Sequence, residues 1–136
     1  MKTSLFLLPA LLVVAFSAWM PPAALASDTC NNVDITLTNS TPDEIKITKL
    51  EYYDFDKGQY RTETGVFGVD GKQNLERGQS FPIANRDLEK VNDDSTQIRV
   101  TYRHRIGGDK YGSTVTDSTP TFTCRDNMSK TVVLNN

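Results

Sequence analysis

One histidine, two cysteines and one tryptophan occur in 136 residues, and each scarcity excludes something. A lone histidine and two distant cysteines fall short of the ligand sets that hold structural zinc or haem, so neither metal nor cofactor is expected. The same inventory leaves most catalytic triads without their members, and base catalysis near neutral pH would rest on His104 alone. Basic charge is lacking too. Fifteen Lys and Arg stand against 17 Asp and Glu, and without residues 1–26, which carry only Lys2, the charge moves from −2 to −3. A nucleic-acid partner needs a basic excess, so none is expected. With 24% charged and 38% hydrophobic residues, the composition is that of a folded chain, not a disordered one.

The N-terminus reads as an export signal. Lys2 supplies a short positive start, and Leu5 to Phe16 is an apolar run broken only by Pro9. Pro21 and Pro22 end it, and Ala24-Leu25-Ala26 puts small residues before a cut at Ser27. A transmembrane anchor would want about 20 apolar residues and no cleavage site. No second long apolar run follows. Residues 1–26 are therefore expected to be a secretory signal peptide and residues 27–136 a single domain, secreted or periplasmic. In an oxidising compartment Cys30 and Cys124 are expected to pair. The bond would close 94 residues, which the chain-entropy account credits with roughly 4–5 kcal/mol.

The remaining pattern is that of strands. Val33, Ile35 and Leu37 alternate with Asp34, Thr36 and Thr38, the period of a strand with one buried face. Asn39-Ser40-Thr41-Pro42-Asp43 is a turn cluster. Ile45 and Ile47 begin a second strand, but Leu50 and Tyr52 continue it out of phase, so a β-bulge is expected near Thr48 or Lys49. Tyr53 to Tyr60 reads as a hairpin turning at Gly58, with a third strand over about Gln59–Thr64. Gly65 to Gly78 is a glycine-rich connection, and Leu75 to Phe81 a strand, turn and strand. Asn85 to Ser95, with Leu88 and Val91 three apart, fits one helical turn capped by Asn85. Ile98 to Ile106 alternates most cleanly, turns at Gly107-Gly108-Asp109, and returns as Tyr111–Thr119. Short segments at Thr121–Cys124 and Thr131–Leu134 follow. Seven to nine short strands without a long helix predict an all-β, antiparallel immunoglobulin-like β-sandwich, with a Greek-key barrel as second choice.

Four groups of residues carry candidate chemistry. His104, on the same face as Val100 and Tyr102, reads as a half-buried strand-end histidine; a general base would need a nucleophile or held water that the local sequence does not name. Asp54, Asp56 and Gly58 resemble the start of a calcium loop, but Gly58 stands at position 5 where an EF-hand needs position 6. A solvated hairpin tip is the plainer account. Tyr52 and Tyr53 are adjacent, so on a strand they point to opposite faces. The tyrosines at 53, 60 and 111 suit a contact surface, since each ring offers area and each hydroxyl a hydrogen bond. Arg99, Arg103 and Arg105 share one strand face, with Lys110 just beyond the turn, and such a row suits an acidic partner or lipid headgroups. Asn39-Ser40-Thr41 and Asn127-Met128-Ser129 match the glycosylation sequon.

The expected function is non-catalytic binding of a protein or carbohydrate partner, of inhibitor, immunity or adhesive type. The expected binding residues are Tyr53, Tyr60, Arg99, Arg103, Arg105 and Tyr111, with the loops Gly65–Gly78 and Asn85–Gln97. A small membrane-acting cytolysin, docking by aromatic loops and basic strands, is the alternative. A hydrolase built on a carboxylate pair such as Asp54 and Asp56 is the further one.

Overall fold

The computed structural model describes residues 28–136, and the expected signal peptide lies outside them. These residues form β1 (Cys30–Asn39), β2 (Ile45–Asp54), β3 (Gln59–Thr62), β4 (Gln73–Leu75), β5 (Ser80–Leu88), β6 (Ser95–Thr96), β7 (Ile98–Gly107), β8 (Lys110–Ser118), β9 (Phe122–Thr123) and β10 (Ser129–Leu134). The fold is an all-β sandwich. One sheet runs β10-β1-β5, and the other runs β3-β2-β7-β8 with β4 continuing the β3 edge of β2. All pairings are antiparallel except β1 with β10, which is parallel because the chain crosses from the second sheet before closing the first.

The period-two alternation does its expected work. Val33, Ile35 and Leu37 of β1 meet Ile45, Ile47, Val100 and Tyr102 of the facing sheet within one buried cluster. Fully burying an aliphatic side chain of this kind is worth about 1.5–3 kcal/mol. The phase slip in β2 is a real bulge: its register against β7 shifts between Ile47 and Lys49. That extra residue turns Leu50 and Tyr52 inward, where both are buried. Without it, a one-residue slip would carry them to the solvent side.

The disulfide joins Cys30 to Cys124 and closes 94 residues, tying the start of β1 to the residue after β9. Among the described residues no helix is long and apolar enough to cross a membrane. The segment after β4 turns into β5 as the glycine pattern suggests, with Gly78 at φ 75°.

One expectation is corrected. Asn85 caps no helical turn. It lies inside β5 at φ 53°, where the β1–β5 register shifts between Val33 and Ile35, and its amide donates to Asp34 at 3.0 Å. Asparagine tolerates this left-handed backbone, and the Leu88–Val91 spacing that resembled a helix spans the end of β5 and the turn after it. Leu88 and Val91 are both buried, one at the end of β5 and one in the following turn. The sequon at Asn39 is likewise part of the interior. The Asn39 amide donates to the Asp43 and Leu75 carbonyls at 2.8 and 2.9 Å, and its oxygen accepts from the Thr41 amide and hydroxyl. A glycan there would replace a buried, fully bonded side chain.

Candidate binding face

The outer side of the β3-β2-β7-β8 sheet gathers all six residues expected to bind, but it divides them between two ends. The ladder sets Tyr53 opposite Tyr60, Glu51 opposite both Thr62 and Arg99, Lys46 opposite Arg103, and Arg105 opposite Tyr111.

At the hairpin end, Tyr53 packs edge-on against Phe55 and Tyr60, with ring centroids 4.6 and 4.8 Å apart. The Arg99 guanidinium lies 3.4 Å above the Tyr60 ring. Its nitrogens donate to Glu51 Oε2 at 3.0 and 2.8 Å, and Lys49 donates to Glu51 Oε1 at 3.2 Å. Glu51 is only 5% exposed, so Arg99 chiefly neutralises a buried carboxylate. At the far end, Arg105 donates to Glu44 Oε2 at 2.6 Å and the Tyr111 hydroxyl donates to Glu44 Oε1 at 2.9 Å. Those two bonds, Tyr111 first, hold the Glu44 carboxyl below its ordinary range. Burial and then the same bond raise the Tyr111 phenol. Lys46 Nζ sits 3.9 Å from the centre of the Tyr111 ring.

Arg99 and Arg105 are thus tied to acids within the protein. Arg103, between them, is not: no ion pair involves it among the described residues. It borders a depression of about 500 Å³ with Lys46, Thr48, Lys72, Asp109 and Tyr111. Three cations there meet one acid. Thr48 also lines a second, larger depression of about 640 Å³ bounded by the glycine-rich connection, so the two adjoin at Thr48 as a two-part trough.

Beyond Ile47 the outer partner of β2 changes from β4 to β3, which pairs from Glu51 onward, and both depressions lie beside this gap at Thr48. The connection is pinned at its base by Arg86, which donates to Glu63 Oε2 at 2.6 Å and to the Thr64 carbonyl at 3.0 Å. Phe67 packs on Phe81 with centroids 6.2 Å apart. Its tip, Val69, is fully exposed.

The other candidates are engaged in the fold. His104 is half-buried, as expected, with Nε2 2.8 Å from the Asn136 carbonyl oxygen, Nδ1 3.7 Å from an Asp43 oxygen, and its ring edge-on to Tyr102. Asp54 is buried, accepts from Arg61 at 2.8 Å and from the Lys57 amide at 3.0 Å, and caps its own hairpin turn. Arg61 holds its carboxyl below the ordinary range, ahead of any other influence. Among the described residues no group of three or more His, Cys, Asp or Glu is placed to hold a metal. Of the Asn85–Gln97 segment, Arg86 reaches the trough's base through Glu63 and Thr64, while Lys90, Asn92, Asp93 and Asp94 lie around Asp54.

Lys46 was not among the expected binding residues, and Phe67 and Lys72 were expected only as part of the Gly65–Gly78 loop. Lys46 was legible as outward-facing, but only the β2–β7 register sets it opposite Arg103, and register is a long-range property. Comparison with known protein families, curated proteins and solved structures finds no match to this chain. The fold and its exposed face define a disulfide-stapled β-sandwich with a cationic trough on one sheet.

Proposed function

We propose that the protein is an exported, non-catalytic binding module, a single immunoglobulin-like domain that recognises a protein or carbohydrate partner through the outer face of its larger sheet. The observation that carries this reading is the Lys46–Arg103 pair. Like charges directly opposite on a sheet are unfavourable, and acids are plentiful in this chain, yet among the described residues neither cation forms an ion pair. An external anion is the natural complement. The buried disulfide supports export to an oxidising compartment. The membrane-acting alternative draws less support, since the exposed Phe55 at the hairpin tip borders Asp56 and Asp94, which repel anionic lipid.

The test compares wild type with Arg103→Glu on immobilised polysaccharides, immobilised acidic protein, and neutral and anionic vesicles. Arg125→Glu, an equal change of charge on an exposed turn outside the trough, is the control. Saturable binding that Arg103→Glu abolishes and Arg125→Glu spares is the expected result. Binding indifferent to Arg103, or none on any surface, overturns the reading.

A further inference from the structure

We infer that the ligand of the trough is an acidic polysaccharide, a chain of sugar rings carrying carboxylate or sulfate groups. This rests on the binding reading above and narrows it. Four features of the trough favour such a chain over an acidic peptide or a lipid surface.

The first is charge placement. Six of the 14 Lys and Arg side chains in residues 28–136 are ion-paired, and three of the remaining eight, Lys46, Lys72 and Arg103, converge on one depression. Arg presents a planar fork that matches a carboxylate or sulfate, and the two ammonium groups add charge from either side. The second is the lining beyond the cations. Thr48 gives its hydroxyl proton to the Thr101 carbonyl at 3.2 Å, so its oxygen remains an acceptor for a sugar hydroxyl. Thr62 and Thr64 continue the row of hydroxyls, while Phe67 contributes apolar surface that suits the C–H face of a sugar ring.

The third is shape. The two depressions adjoin at Thr48 and lie side by side along the sheet, an extended arrangement that suits a polymer. A standard protein interface instead covers about 800 Å² on each partner. The fourth is the state of the strand edge beside it. The outer edge of β2 is occupied by β4 and β3, so an extended peptide cannot add there as another strand, the commonest way a sheet captures one. At that edge recognition is left to side chains: three cations, hydroxyls and an apolar ring, with Asp109 and the Arg86-paired Glu63 as the acids.

Calorimetric titration with a polyuronate oligomer, a sulfated oligosaccharide and a carboxyl-reduced polyuronate tests the inference, with the disulfide intact. At least one acidic oligomer is expected to bind saturably, and the reduced, neutral one is not. Which acidic oligomer binds tells carboxylate from sulfate. Arg103→Glu and Lys72→Glu should each weaken binding by about tenfold or more, with Arg125→Glu unchanged. Raising salt to about 0.5 M should weaken it as well. Circular dichroism of each variant checks that it folds, and Arg103→Lys should retain part of the affinity if Arg103 acts by charge. Equal binding of neutral and acidic oligomers, or acidic binding indifferent to Arg103, overturns the inference. If only acidic protein or anionic vesicles bind in an Arg103-dependent way, the polysaccharide inference fails and the binding module stands. If nothing binds, both fail.

Discussion

Lys46 and Arg103 face each other across the β2–β7 ladder, two cations directly opposed on the solvent side of the sheet. The row is completed by Asn74 beside Lys46 and Thr114 beside Arg103, both neutral. Elsewhere on the same face Arg99 and Arg105 each have an acid within 2.8 Å. On the proposed reading, the arrangement gives up some stability to keep positive charge available for a ligand, the usual relation between a binding site and the scaffold that holds it.

That trade can be measured. Replacing Arg103 by Glu turns a repulsive cross-strand pair into an attractive one, a change of about 0.2–1 kcal/mol. For a domain of this size the melting temperature should rise by about 1–5 °C. Thermal unfolding followed by circular dichroism checks this. A fall would show that Arg103 is a structural support.

Arg99 should behave in the opposite way. It neutralises Glu51, which is nearly buried, and Arg99→Ala leaves that carboxylate with Lys49 alone. A loss of about 1–3 kcal/mol is expected from urea unfolding, reduced from the fully buried case because Arg99 is partly solvated. Arg105→Ala, at a more exposed pair, should cost less than 1 kcal/mol, roughly the value of a surface ion pair.

The disulfide closes most of the described chain. Because it restricts the unfolded state across 94 residues, the paired substitution Cys30→Ala with Cys124→Ala should lower unfolding free energy by about 2–5 kcal/mol. Urea unfolding of wild type with and without reductant should reproduce that difference.

Asp54 predicts an acid limb. Its folded carboxyl titrates below the usual value near 3.9. The stability it supplies is therefore complete above that value and is lost as pH falls through the lower, folded one. Asp54→Asn should be less stable than wild type at neutral pH, and the gap should close as pH falls below the ordinary carboxylate value and through the lower, folded one. A gap that persists unchanged into acid would show that Arg61 does not act on the charged form.

Much of this architecture is visible in local pattern. Alternation from Val33 to Leu37 and from Ile98 to Tyr102 names the inward residues, and the slip after Ile47 locates the bulge at Thr48 to within a residue. Gly58 and Gly78, at φ 63° and 75°, mark turns where the sequence places them. What local pattern does not carry is register between distant strands. The arginine row was visible, but not that Glu51 and Glu44 occupy two of its members, nor that Lys46 faces the third. Asn85 misled for a related reason: its left-handed backbone serves a bulge inside β5, and Leu88 and Val91 are three apart only because a turn after β5 brings Val91 back to the core.

Backbone amide NMR of the labelled protein, titrated with an acidic oligosaccharide, tests the central claim most directly. Shifts clustered at Lys46, Thr48, Phe67, Arg103 and Tyr111, and missing in the Arg103→Glu variant, are the predicted result. Shifts centred instead on Phe55 and the Asp93–Asp94 turn, or spread evenly over the molecule, would contradict the account.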